Sequence, residues 1–276
     1  MSDLASSEAS LGAGAKVPES RSGAIVAARV LLLMLALSVW QGAVAADLAD
    51  PAFVSTPIDV AQSLWSLLRS GELAPHLGTT LSEMVIAFGL SVVFGVTTAI
   101  VLDRNDWLNR VISPFLTALN SMPRIALGPL FILWFGIGIA SKVMLAFSLG
   151  YFIMLLGTLG GLKNVDRDLL LMSRLFGASE LRLFRHVRLP WALPSIFSGL
   201  KLTLIYCSAG AIIGEMIAAK SGLGLLVQTF SGRFDVSGVM ALILIVALTV
   251  MSLTALMDLV ERRLLEWSKG STDVPG

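Results

Sequence analysis

Residues 79–102 read TTLSEMVIAFGLSVVFGVTTAIVL, an apolar run whose single charge, Glu83, lies near one end. A helix needs ~20 such residues to cross a hydrocarbon core of ~30 Å, whereas a membrane β-barrel shows ~10-residue alternating segments. Five further segments read the same way, near 24–45, 111–135, 139–161, 196–219 and 236–260. Composition agrees: 55% of the residues are hydrophobic, 14% are charged and mean hydropathy is +0.83. A soluble domain carries about 25% charge. The fold class expected is an all-α membrane protein of about six transmembrane helices.

Outside these runs, residues 1–22 are Ser-, Ala- and Gly-rich and read as a disordered cytoplasmic tail, and 268–276 read as a cytoplasmic tail. The membrane domain is expected over 23–267. Between the first two runs, IDVAQSLWSLLRSGEL is helical in pattern but too short and polar to span, so it is placed on the membrane surface. With the N-terminus in the cytoplasm, 14 Lys and Arg fall on inside segments and 4 on outside ones, leaving Arg124 and Lys201 within or at the edge of spans. The positive-inside rule then puts both termini and the long 162–195 connection in the cytoplasm. The first run has a rival reading. Arg21, Arg29, the stretch VLLLMLALSVW and Ala43-Val44-Ala45 look like a secretory signal with a cleavage site, although the tail before the arginines is long for one.

The 162–195 connection is the only one long enough to fold by itself. Leu169, Leu170, Met172, Leu175 and Phe176 form an apolar stripe on a short helix, with Asp166 and Asp168 at its positive end. Gly177 ends that helix and is predicted to take a positive φ. Ser179 caps a second helix, with Glu180 in its first turn and Arg182, Arg185 and Arg188 recurring along it. Pro190 is expected to stop that helix, and Pro194 to precede re-entry into the membrane. The product is a stiff two-helix elbow with apolar residues beside basic ones. No Gly-x-x-x-x-Gly-Lys-Ser/Thr occurs, so the chain lacks the loop that would cradle ATP phosphates. Such an elbow suits docking to a separate motor; the plain alternative is a mere connector.

This elbow resembles the signature loop of permease subunits in binding-protein-dependent ATP-binding-cassette importers. That pattern runs Glu-Ala-Ala, three residues, Gly, nine residues, Ile-x-Leu-Pro. Gly177 and Val187-Arg188-Leu189-Pro190 keep the spacing, while Leu171-Met172-Ser173 depart from the first part. FVSTPIDVAQSLWSLLRSGELAPHLGTTL, MPRIALGPLFILWFGIGIASK, GEMIAAKSGLGLLVQ and LVERRLLEW are similar to the nitrate/sulfonate/taurine and pyrimidine-precursor branch. The resemblance implies a bacterial inner-membrane subunit that dimerises and takes a small organic or inorganic solute from an extracytoplasmic binding protein. It also implies ABC ATPase partners that contact Asp168, Leu171, Met172, Ser173, Gly177, Ala178, Ser179, Arg182, Arg185, Leu189 and Pro190. No catalysis, cofactor or nucleic-acid partner is implied.

Arg124 lies within the third run between Pro123 and Pro129, with Gly128 close by. A charge at the bilayer centre costs ~2.5–3.5 kcal/mol on insertion scales, so it should face a cavity or a partner. The two prolines predict a broken helix, tolerable where freed backbone lines protein or water. Pro123, Arg124 and Glu215 are therefore candidate residues of the translocation path, with Arg124–Glu215 a candidate ion pair. Pro-Arg-Ile-Ala-Leu-x-Pro looks more like the pyrimidine-precursor branch than the sulfonate one. Gly157-x-x-x-Gly161 and Gly210-x-x-x-Gly214 are faces for close helix packing. Cys207 is the single cysteine and reads as a small hydrophobe, while His76 and His186 fall on opposite sides of the membrane and cannot share a metal. The alternative, a self-sufficient secondary transporter or channel, needs intramembrane acids, and the spans offer only Glu83 and Glu215.

Overall fold

The computed structural model describes residues 20–48, 50 and 53–264. The expected tails lie outside the described residues, apart from residues 20–22, which open the first helix instead of extending the tail. The chain divides into two compact units, residues 1–59 and 60–276. In the first, α1 (Ser20–Ala45) has its apolar side chains outward, with Leu31, Leu32 and Leu35 all exposed. A helix apolar on every side and exposed has the pattern of a membrane span.

Helix α2 (Pro57–Ser70) follows. Thr56 Oγ1 caps it by accepting the Asp59 N–H at 3.1 Å. The second unit then runs α3 (Leu73–Arg104), α4 (Asp106–Ser121), a 3-10 turn (Arg124–Leu127), α5 (Gly128–Phe135) and α6 (Ile139–Lys163). The elbow consists of α7 (Arg167–Leu175), α8 (Glu180–Leu183) and a π turn (Phe184–Arg188). It leads into α9 (Leu189–Ile217), α10 (Leu223–Gly232) and α11 (Val236–Leu264). Among the described residues five helices are long and apolar enough to cross a membrane, and α4 with α5, bent by 82° at the Pro123 break, has the length and composition of a sixth if the pair is taken as one broken span. The break predicted from the two prolines is present.

Helix α6 runs through the centre, against α3 on one side and α9 on the other. Lipid supplies no hydrophobic drive between helices, so close contact must come from small residues and shape. Gly157 faces Gly199, and a Cβ at Gly210 would lie 2.6 Å from Ala146 Cα. Both Gly-x-x-x-Gly faces thus close the α6–α9 contact within the chain. Gly150 leaves room for Ser91 and Cys207, which is fully buried as expected of a small hydrophobe.

Two boundaries differ from the sequence reading. Helix α3 begins at Leu73, before the apolar run proper. Pro190 does not stop the elbow's second helix, because Glu180–Ile217 is one continuous helix through the π turn. There the Leu189 N–H reaches back to Phe184 O, widening the coil, and Pro190 sits in the first turn of the resumed α segment. A proline is tolerated at that position because its missing N–H has no intrahelical partner to lose.

Candidate functional site

Two places concentrate the candidate residues. The first is the elbow. Asp166 Oδ1 accepts the Asp168 N–H at 2.8 Å and starts α7. At the other end Gly177 has φ +78°, its N–H reaches Arg174 O at 2.9 Å, and the Ala178 N–H reaches Ser173 O at 3.1 Å. Those two bonds are the paired closure of a Schellman motif, which needs a left-handed residue where Gly177 stands. Ser179 Oγ accepts the Arg182 N–H at 3.4 Å, so the predicted cap of α8 forms. An Arg174–Glu180 ion pair at 3.0 Å links the two arms across the turn.

The elbow is also fixed to the membrane helices. Leu183 is fully buried, Arg188 pairs with Asp103 at 3.1 Å, and the Arg104 guanidinium lies 4.6 Å from the Phe184 ring centre. A cleft of about 390 Å³ opens between Asp103, Asp106, Arg174 and Glu180. The outward surface is apolar: Leu171 is 60% exposed, Leu175 79% and Phe176 86%. Met172, Arg182 and Arg185 are exposed beside them, and Asp168 and Ser179 stand at the two helix starts. Leu189 and Pro190 are half-buried and belong to the helix leading inward, away from this tip.

The second place lies among the spans. Glu215 is fully buried near the end of α9. It accepts the Thr80 hydroxyl at 2.7 Å and the Gly224 N–H at 2.7 Å. Thr80 Oγ1 in turn accepts the Leu223 N–H at 2.8 Å, and His76 Nδ1 the Gly222 N–H at 3.0 Å. Gly222 has φ +126°, and a Cβ there would collide with the Glu215 carboxylate. The carboxylate and Thr80 therefore share the first N–H groups of α10, Glu215 taking that of Gly224 and Thr80 that of Leu223. Glu83 and Lys142, 3.8 Å apart and both buried, join α3 to α6, and Lys142 Nζ also donates to Ile137 O at 3.1 Å. Nothing local in sequence signals that pair, since 58 intervening residues separate α3's acid from α6's lysine.

Arg124 stands at the break, after the exposed Pro123. It donates to Asn120 O at 2.9 Å and to Asn120 Oδ1, with its guanidinium 4.3 Å from the Phe152 ring centre. The candidate Arg124–Glu215 pair is not formed: Thr80 and Gly224 bind Glu215, and Asn120 and Phe152 hold Arg124. A cation over a ring face is a stable arrangement for an arginine away from bulk water. His76 and His186 meet different partners, Gly222 and Arg182 O, and no group of three metal-ligating side chains occurs among the described residues.

Comparison with known proteins adds the following. Residues 91–266 match the family described as binding-protein-dependent transport system inner membrane component. A riboflavin transport system permease protein of Chloroflexus aurantiacus is 35% identical, covering 85% of this chain and 88% of its own. A formylaminopyrimidine transport permease protein of Halalkalibacterium halodurans is 31% identical, covering 87% and 95%. A putative aliphatic sulfonates transport permease protein of Escherichia coli is 32% identical, covering 84% and 88%. Among solved structures, an amino acid ABC transporter aligns with a TM-score of 0.60 at 18% identity, over 72% of this chain and 97% of that one. An inward-facing MetNI methionine ABC transporter aligns at 0.59 and 20% identity, over 72% and 96%. At such identities the likeness is one of fold.

Proposed function

The chain belongs to the binding-protein-dependent transport system inner membrane components, the permease subunits of ABC importers, and from that premise we propose how this one works. Two copies pair in the membrane, each receives force from an ABC ATPase at its elbow, and an extracytoplasmic binding protein delivers the solute. Both termini and the elbow face the cytoplasm, following the 14-to-4 charge asymmetry. Residues 23–267 form the membrane domain with the coupling loop at 162–195. The chain itself does no bond chemistry.

The observation that carries this reading is the elbow's tip. Leu171, Met172, Leu175 and Phe176 are exposed on a turn braced by the Schellman bonds, the Arg174–Glu180 pair and the Arg188–Asp103 pair. Apolar side chains on a braced turn are a docking surface, because rigidity removes the entropy cost of ordering on contact. The residues proposed to meet the ATPase are Asp168, Leu171, Met172, Ser173, Gly177, Ala178, Ser179, Arg182 and Arg185, with Leu189 and Pro190 passing the motion inward. For the solute, the riboflavin-named relative, 35% identical against 32% for the sulfonate-named one, together with Pro123-Arg124-Ile125-Ala126-Leu127-Gly128-Pro129, favours a vitamin or pyrimidine precursor over an alkyl sulfonate.

The test is purification of the permease by a tag, from cells expressing the neighbouring transporter genes. An ATPase should co-purify, and Leu175→Asp with Phe176→Asp should release it while the permease stays in the membrane. Uptake by the permease alone, driven by an ion gradient in proteoliposomes, would establish the secondary-transporter reading instead.

A further inference from the structure

Helix α4 has three distinct sides. Leu108, Ile112 and Leu116 pack on the cluster formed by Leu102, Phe152 and Leu155. Trp107, Val111 and Phe115 are exposed and apolar, as lipid requires. The third side carries Arg110, Ser113, Thr117, Asn120 and Ser121, all exposed. At about 100° per residue these five fall within an arc of about 100°, set off by about 40° from Leu116 on one side and from Trp107 on the other.

This stripe runs from the elbow side to about mid-depth of the protein. It starts beside the Asp103–Asp106 cleft under the elbow and ends at Arg124, whose partner Phe152 lies midway along α6. An amphipathic helix lying flat on a bilayer would not climb from the end of α3 to the middle of α6. Exposed polar groups at that depth do not face lipid; they face water or protein. The stripe is also chemically open. Thr117 and Ser121 donate their hydroxyl hydrogens to the carbonyls of Ser113 and Thr117, leaving their oxygens free to accept. Arg124 spends one terminal nitrogen on Asn120, and its Nε has no partner.

We propose that the polar side of α4, from Arg110 to Asn120 and closed at mid-depth by Arg124, lines the elbow-side half of the solute path, with Arg124 as its hydrogen-bond donor to acceptor-bearing solutes. This rests on the permease reading above. It accounts for the arginine and for the bend: the 82° break turns α5 away where the stripe ends. Alkyl chains gain nothing from such a wall. Solutes rich in carbonyl or anionic oxygen do.

The test is thiol accessibility in the permease–ATPase complex in proteoliposomes. Native Cys207, fully buried, serves as the unreactive internal control. Ser113→Cys, Thr117→Cys and Asn120→Cys are compared with Val111→Cys and Phe115→Cys, using a membrane-impermeant methanethiosulfonate. These reagents need a water-exposed thiolate, so the stripe cysteines should react at least about tenfold faster than the lipid-side pair. Saturating riboflavin, used as the probe solute, should protect Asn120→Cys. Arg124→Gln should weaken solute protection by about tenfold, and Arg124→Lys by less. Equal rates on both sides overturn the proposal, as does a stripe that is unreactive and cross-links between copies, which would make it a dry contact. Assembly is scored on the same samples: failure of the wild-type chain to hold the ATPase overturns the permease reading and this one with it. Normal assembly with an unreactive stripe overturns the path alone.

Discussion

Replacing Gly177 by valine isolates the mechanical part of the elbow. A Cβ at Gly177 meets nothing within 4 Å, so the substitution adds no clash and its whole effect is on the backbone. At φ +78° an L-residue pays about 1–2 kcal/mol, and a β-branched one up to about 3 kcal/mol. The chain can escape that strain by leaving the left-handed region. It then loses the Gly177–Arg174 and Ala178–Ser173 bonds, worth about 0.5–1.5 kcal/mol each net. Either route costs about 1–3 kcal/mol, which lowers the population of the native turn about 5- to 150-fold at ~1.4 kcal/mol per tenfold. The assay is transport and solute-stimulated ATP hydrolysis by the reconstituted complex, alongside membrane yield of the permease. Transport and stimulated hydrolysis should fall together at normal yield, with Gly177→Ala intermediate and Gly177→Asn closest to wild type, because asparagine tolerates positive φ. A valine variant that transports at the wild-type rate with coupled ATP use would refute the reasoning and leave the loop a plain connector.

Other outcomes are expected elsewhere. Cysteines at Ser231 and Ser179, both exposed, should label from opposite sides of the membrane; labelling from one side means a crossing has been miscounted. Glu215→Ala strands the Gly224 N–H, about 1–3 kcal/mol for a buried orphan, and leaves the Thr80 hydroxyl only its 3.2 Å bond to His76 O, so it should lower the detergent melting temperature more than Glu215→Gln does. An unchanged melt for the alanine variant would show that the α10 cap contributes nothing. Gly222→Ala combines a positive φ with collision against the Glu215 carboxylate, so it should reduce folded yield far more than Gly177→Ala, where space is open. Equal yields would place the constraint in the backbone alone.

The crossings, the break at Pro123, the turn at Gly177 and the cap at Ser179 were legible because each depends on neighbours in sequence. Apolar run length, a proline pair and a glycine after an apolar stripe act locally. Pro190 misled for a physical reason: its usual meaning assumes α geometry, and a π turn upstream removes the bond a proline would break. The Lys142–Glu83 pair and the Glu215 cap were hidden because they join helices that only the folded bundle brings together. Arg124 invited pairing with Glu215, the one acid in its apolar run. It settled instead on a neighbouring amide and an aromatic face, partners that carry no charge signal in the sequence.

The helix Glu180–Ile217 is one continuous arm from the elbow into the bundle. Its 38 residues extend about 57 Å at ~1.5 Å rise each. One end is pinned by Arg188 to Asp103, and the other by Glu215 to Thr80, both anchors on α3. A tilt of about 5° would sweep its tip by roughly 5 Å, the scale of one helical turn. Because both pins hold the same helix, such a tilt must either carry α3 along or break one of them. A solute gate built on this arm would therefore move as a pair of beams, and the softer pin, the Arg188–Asp103 pair, open to solvent on its Arg188 side where the Glu215 pin is fully buried, is where slack would first develop.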